Sequence, residues 1–171
     1  TTTIPCPFSR IHQLADYWVE RQPDAVALED AHGALTYGQL LDQSSAMQQQ
    51  LVALGVRAGD RVMIIGENCI AACIAVLALS RLDAWSSFIN ARVSAREVDE
   101  YIQHADSRCV LFTCQASDDA RQHAERHAAQ TLGLTGDSLF VSPLRVEATV
   151  EPVMAGATEQ VAALVYTSGT S

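Results

Sequence analysis

The chain lacks several features that would each mark a class of protein. It has no basic stripe: 20 acidic side chains outnumber 11 basic ones, for a net charge of −9. Without such a footprint neither nucleic acid nor an anionic membrane surface is expected as a partner. It has no long apolar run. The longest, residues 69–79, lies between Glu67-Asn68 and Arg81 and falls short of the roughly 20 residues that cross a bilayer, so no membrane span is expected and a buried helix is. It has no CxxC pair. The five cysteines, Cys6, Cys69, Cys73, Cys109 and Cys114, are odd in number and mostly set in apolar runs, which predicts reduced thiols in a cytoplasmic protein. Cys69 and Cys73 share a helix face, but two thiols without a neighbouring His or third Cys make a poor metal site. There is no initiator Met and no charged segment followed by an apolar run at the start, so no signal peptide is expected and the chain reads as trimmed or excised. Neither the Gly-x-Gly-x-x-Gly fingerprint nor a Walker loop occurs, which argues against a dinucleotide site and a P-loop NTPase.

What is present is a globular composition. Hydrophobic residues make up 49% and charged residues 18% of 171, enough for one domain with a real core. After an extended lead-in with Pro5 and Pro7, Ser9 is placed to cap a helix over residues 9–21 with Ile11, Leu14, Ala15, Trp18 and Val19 on its apolar face, and Pro23 stops it. Residues 25–29 and 34–36 flank the turn Asp30-Ala31-His32-Gly33 and predict a hairpin. Thr36 and Gln39 form a capping box for a helix that buries Tyr37, Leu40, Leu41, Met47, Leu51 and Leu54 and ends at Gly55.

From Arg61 the pattern alternates. Strands are expected at 61–65, 84–89, 108–113, 139–141 and 161–166, the last as a buried strand. Helices are expected at 69–82, from a second capping box at Ser94 and Glu97, and from Ser117 to about residue 132; residues 144–158 read as loop. This order means βαβ crossovers. The fold class expected is therefore α/β: a mostly parallel sheet with helices on both faces, preceded by a helix, a β-hairpin and a helix. The expected division is 1–57 for the helix, hairpin and helix, and 58–171 for the βαβ sheet.

Candidate chemistry is sparse. His123 and His127 stand four residues apart, a spacing that can hold a metal, but the helix around them is polar and no third ligand is evident, so a solvated face is the expectation. His12, His32 and His104 each stand alone and read as structural or surface groups. Trp18 and Trp85 read as core. Gly66 lies at a strand-to-helix turn. The strongest candidate is Thr167-Ser168-Gly169-Thr170-Ser171, four hydroxyls and a glycine directly after an apolar strand. Open α/β sheets bind ligands outside the carboxyl ends of their strands. A loop of small residues there can turn backbone N–H groups and hydroxyls onto a phosphate.

Several stretches, in order, resemble the adenylate-forming enzymes, a superfamily of acyl-CoA synthetases, luciferases and peptide-synthetase adenylation domains. Leu35-Thr36-Tyr37-Gly38-Gln39-Leu40 resembles the family's "Leu-Thr-Tyr-x-Glu-Leu", and Gly55-Val56-Arg57-Ala58-Gly59-Asp60-Arg61-Val62 its "Gly-Val-x-x-Gly-Asp-Arg-Val". The stretch from Leu77 to Asn90, with Ser94-Ala95-Arg96-Glu97-Val98, is similar to its "Leu-Lys-Ala-Gly-Ala…Pro-Leu-Asn…Ser-x-x-Glu-Leu" block. Tyr166-Thr167-Ser168-Gly169-Thr170-Ser171 resembles the opening of "Tyr-Thr-Ser-Gly-Thr-Thr-Gly-x-Pro-Lys-Gly", the phosphate-binding signature. Ser80-Arg81-Leu82-Asp83 departs from the usual Lys-Ala-Gly, and Phe88-Ile89 from Pro-Leu.

The resemblance implies part of the large N-terminal domain of such an enzyme, acyl-CoA synthetase-like. It implies that ATP, with Mg2+, and a small-molecule carboxylate give an acyl-adenylate and pyrophosphate, and that the acyl group passes to a thiol, usually coenzyme A. Thr167, Ser168, Gly169, Thr170 and Ser171 would then meet the ATP phosphates, while the catalytic residues and the acyl pocket would lie beyond Ser171. Such a fragment is expected to be inactive alone and to self-associate through apolar surface beside residues 161–166. A peptide-synthetase adenylation domain and a non-enzymatic α/β binding module are the competing readings.

Overall fold

The computed structural model describes residues 8–132 and 139–166. Helix α1 (His12–Val19) leads into the hairpin β1 (Val26–Asp30) and β2 (Gly33–Thr36) and the long helix α2 (Tyr37–Leu54). Then follow β3 (Arg61–Gly66), α3 (Ile70–Arg81), β4 (Trp85–Asn90), α4 (Ala95–His104), β5 (Cys109–Phe112), α5 (Asp118–Arg126), β6 (Gln130–Thr131), β7 (Phe140–Val141) and β8 (Ala163–Leu164).

Local chemistry explains most boundaries. Asp30 Oδ1 accepts the His32 N–H at 2.8 Å and turns the hairpin. Both halves of the capping box at α2 are made, Gln39 N–H to Thr36 Oγ1 and Thr36 N–H to Gln39 Oε1. The same holds at α4 for Ser94 and Glu97. Gly55, at φ +102°, closes α2 with its N–H on the carbonyls of Leu51 and Val52. Helices α3 and α4 close without glycine: Asp83 (φ +56°) and Asp106 (φ +47°) take the left-handed turn, a conformation aspartate tolerates better than most side chains. Asp83 thus stands where the resembled Lys-Ala-Gly motif has glycine, and an ion pair with Arg10 holds it.

The six-stranded sheet has the order β6-β7-β5-β3-β4-β8. Strands β5, β3, β4 and β8 run parallel, while β7 lies antiparallel to β5 and β6 antiparallel to β7. Alternation along the central strands splits the core in two. Val62, Ile64, Cys109 and Leu111 face α2 and α3; Met63, Ile65, Val110 and Phe112 face α4 and α5. Helices on both faces explain why Val62 to Gly66 are all buried. At the amino ends of β3 and β5, Arg61 pairs with Glu151 and with Asp106 (2.9 Å) and pins the irregular stretch 142–160. All 11 basic residues are arginine, and Arg81 shows their use: its fork meets Asp16 and Ser44 and ties α3 to α1 and α2.

The α/β class, the mostly parallel sheet and the covering of both faces agree with expectation. Several details do not. Ser9 does not cap α1; the Gln13 side chain instead reaches back to the Ser9 N–H at 2.7 Å. The face assigned to α1 buries only Ala15, with Leu14 56% and Trp18 38% exposed. Trp18 stacks on Tyr37 rather than filling the core. Leu54 is exposed as well, because the buried stripe of α2 is Leu40, Ser44, Met47 and Leu51. Helix α5 ends at Arg126, where Ala128 (φ +52°) turns the chain back as β6. Strand β8 is not buried. It lies at the sheet edge with two residue pairs to β4, and Val165 beyond it is 81% exposed. Cys73 is exposed, whereas Cys109 and Cys114 are buried.

Candidate functional site at the carboxyl edge of the sheet

The carboxyl ends of β3, β4, β5 and β8 share one edge of the sheet because these strands are parallel. The edge is tightly built where β3 meets β5. Thr113 is fully buried; its N–H donates to the Ile65 carbonyl at 3.1 Å, and its Oγ1 accepts the Glu67 N–H at 3.2 Å. A Cβ at Gly66 would sit 1.7 Å from Thr113 Oγ1, so the glycine is required by the neighbouring strand. Above β4, Asn90 Oδ1 accepts the Arg92 N–H at 2.9 Å, and Arg92 pairs with Glu67 at 2.9 Å across the β3 and β4 loops.

Helix α3 starts at this edge, but its N-terminus is already occupied. Asp30 Oδ2 from the hairpin accepts the Ile70 N–H at 2.9 Å. That bond, with a second from His32, holds the Asp30 carboxyl below the usual carboxylate range. Beside it a cavity of about 530 Å³ is lined by Leu35, Met47 and Ile74, with Asp30, Asp42 and Gln115 among its polar groups. No residue of β4 or β8 lines it.

At the other end of the edge, Tyr166 leaves β8. Its ring lies 4.7 Å from that of Tyr101 and 5.7 Å from that of His104, and its Oη is 3.0 Å from His104 Nδ1. Burial pushes the phenol above its ordinary pKa, with the neighbouring Tyr101 acting in the same direction, so it keeps its proton at neutral pH. The candidates Thr167, Ser168, Gly169, Thr170 and Ser171 lie outside the described residues, as does Cys6.

The two histidines of α5 and its C-cap are structural. His123 is buried, and its Nε2 lies 3.0 Å from the Ala91 carbonyl and 3.2 Å from that of Val93, which fastens α5 to the loop after β4. His127 stacks on Phe112 at 5.8 Å. The expectation of a solvated face for this pair is therefore corrected: Ala120, His123 and Ala124 form the buried side of α5. Among the described residues no group of three or more His, Cys, Asp or Glu side chains could hold a metal. The buried thiols are not nucleophiles: burial pushes Cys109 to about 12 and Cys114 to about 11. No helix among the described residues is long and apolar enough to cross a membrane.

Comparison with known proteins gives the family. The family model described as "AMP-binding enzyme" matches residues 15–171. The chain belongs to the AMP-binding enzyme family. It is an N-terminal part of an adenylate-forming enzyme, with a 4-chlorobenzoate–CoA ligase of Arthrobacter sp. 32% identical over 162 residues, 93% of this chain and 31% of that ligase. It is also similar to the AMB antimetabolite synthetase AmbE of Pseudomonas aeruginosa, 28% identical over 167 residues, 98% of this chain and 7% of that protein. The solved complex of VinN with 3-methylaspartate shares the fold, with a TM-score of 0.67 and 24% identity over 94% of this chain and 44% of that one. The chain thus spans less than a third of these two curated relatives.

What sequence reasoning missed is the set that holds Tyr166. Tyr101 and His104 lie more than 60 residues before it in the chain, and nothing local marks them as partners. The Asp30 bond to α3 was likewise out of reach, because it spans 40 residues.

Proposed function

We propose that the protein of which this chain forms a part activates a carboxylic acid with ATP and transfers the acyl group to coenzyme A. In the first step a carboxylate oxygen attacks the α-phosphorus of ATP, the bond from that phosphorus to the bridging oxygen breaks, and pyrophosphate leaves. Negative charge spreads over the phosphates, so hydroxyl and N–H donors that are already in place lower the barrier. Thr167, Ser168, Thr170 and Ser171 supply hydroxyls, and Gly169 lets the backbone come close. These residues follow directly on Tyr166, which stands at the carboxyl edge where α/β sheets bind ligands. Mg2+ enters with ATP as part of the substrate. The described residues offer no cluster for it.

The observation that carries this reading is the family match through residue 171, which includes the Tyr166 to Ser171 stretch. Coenzyme A as acceptor is supported by the similarity to the 4-chlorobenzoate–CoA ligase over 93% of the chain. A second reading, transfer to a carrier protein as in a peptide synthetase, draws support from AmbE, which aligns with 98% of the chain. The test is to incubate the complete gene product with ATP, a panel of carboxylates and either coenzyme A or a phosphopantetheinylated carrier protein, and to detect the thioester by mass spectrometry. Thioester on coenzyme A alone supports the first reading; thioester on the carrier alone replaces it with the second. In either reading the 171-residue chain by itself is inactive and the protein acts in the cytoplasm.

A further inference from the structure

The end of β8 is weakly held by its backbone. Its ladder to β4 consists of Ser86 opposite Ala163 and Ser87 opposite Leu164, supplemented by Ser86 donating through its N–H (3.4 Å) and its Oγ (3.3 Å) to the Ala162 carbonyl. Beyond Leu164 the ladder stops, and Val165 is 81% exposed. Two such pairs at a sheet edge do not fix the direction of the chain that follows.

Tyr166 is nevertheless half-buried and, with Leu164, packs against the second core. Its fixed points are side chains. The Tyr101 ring lies against it at 4.7 Å and 57°, and the His104 ring stands edge-on at 5.7 Å and 72°. A single hydrogen bond of 3.0 Å joins Tyr166 Oη to His104 Nδ1. Tyr101 and His104 are one helical turn apart on α4, so both rings come from one face. Helix α4 is itself anchored at its start by the Ser94 and Glu97 capping box and through Asp99 to Arg126 of α5 at 2.8 Å.

We infer that His104 and Tyr101 are positioning residues: they clamp Tyr166, the residue directly before Thr167 to Ser171, and so support the proposed contact of that stretch with ATP. The inference rests on the proposed role of that loop in meeting ATP. Helix α4 does the work that a longer strand pairing would otherwise do. The relevant chemistry is one hydrogen bond and two ring contacts, acting on a residue that does not itself touch the reacting atoms.

The experiment uses the complete gene product with His104→Ala, His104→Asn, Tyr166→Phe, and the double variant His104→Ala with Tyr166→Phe. Amide hydrogen exchange across residues 164–171 reads the clamp, and ATP affinity by titration calorimetry reads its consequence. Loss of one hydrogen bond is expected to speed exchange over this stretch by about fivefold and to weaken ATP by about fivefold in either single variant. The double variant is expected to be no worse than the singles, since both break the same bond. His104→Asn, which keeps a polar atom near Nδ1, is expected to recover most of the effect, with the unfolding midpoint unchanged throughout. Unchanged exchange over 164–171, or additive effects in the double variant, overturns the clamp. Faster exchange with wild-type ATP affinity overturns its positioning role. If the wild-type protein binds no ATP, the loop's proposed role fails, and exchange alone still decides whether the clamp exists.

Discussion

Replacing Gly66 by alanine should destabilise the sheet more than any surface change. The added Cβ would meet Thr113 Oγ1 at 1.7 Å, Thr113 Cβ at 2.8 Å and Thr113 Cγ2 at 2.9 Å. Neither side can yield cheaply. Strand β3 is central, paired with β4 on one side and β5 on the other. The Thr113 N–H to the Ile65 carbonyl (3.1 Å) and Thr113 Oγ1 from the Glu67 N–H (3.2 Å) lock the two strands together at this point. Overpacking a tight core costs about 1–3 kcal/mol, and a contact this short belongs at the upper end, about 3 kcal/mol. For a chain of this size that lowers the thermal midpoint by roughly 6–12 °C. Thr113→Ala removes the two γ atoms and leaves only the 2.8 Å contact. On that background Gly66→Ala should therefore cost about 1–2 kcal/mol less, a coupling that a double-mutant cycle in urea reads directly. Gly156→Ala is the control: its nearest neighbour is Glu159 Oε2 at 3.2 Å, the end of a flexible exposed side chain, and the change should stay within about 0.5 kcal/mol. A Gly66→Ala protein that unfolds within about 1 °C of wild type would refute the requirement drawn from the close approach of Thr113.

Three further outcomes are expected. Burial, aided by Arg81, lowers the pKa of His12, and burial, aided by Arg126, lowers that of His127; the unfolded chain therefore binds more protons below about pH 6.5. The stability these residues contribute is present above that pH and lost as pH falls through their lowered values, so the urea midpoint at pH 5.5 should lie below that at pH 7.5, and equal midpoints contradict it. His123→Ala, which takes a donor from the Ala91 carbonyl, should cost about 1–3 kcal/mol, while added zinc leaves the wild-type unfolding midpoint unchanged; a zinc-induced rise would reinstate a metal site on α5. The 171-residue chain should self-associate through the open β8 edge, and Val165→Glu should reduce this. Light scattering that shows a monomer at high concentration for the wild type contradicts the self-association, and an association unchanged by Val165→Glu contradicts its placement at β8.

How much of this was legible in the sequence follows from distance along the chain. The two capping boxes, the Gly55 stop and the hairpin turn at Asp30 are local devices, and the structure has them where short-range rules put them. The apolar strand β3 and its βαβ neighbours carry a strong pattern because both sheet faces are covered. What was hidden depends on partners far away. Gln130–Thr131 becomes strand β6 only because β7 pairs with it; its own side chains are polar and exposed. His123 looked like one more polar residue of α5, although its place between Ala120 and Ala124 marks the small-residue side that packs inward. Leu14 and Trp18 follow a helical period, yet the structure leaves them exposed, since period alone does not say what covers a face. At the candidate site, residues 167–171 could be singled out from composition and resemblance, whereas the contacts of Tyr166 with Tyr101 and His104 of α4 join residues far apart in the chain.

The measurement that bears most directly on the central claim is ATP–pyrophosphate exchange by the complete gene product, with labelled pyrophosphate, across a panel of aliphatic, aromatic and amino acids. The account predicts carboxylate-dependent exchange with at least one acid, strongly reduced when Thr167 and Ser168 are both changed to alanine while the fold is kept. Exchange absent with every acid, or present and untouched by that double change, would contradict the assignment of residues 167–171 to the phosphates of ATP.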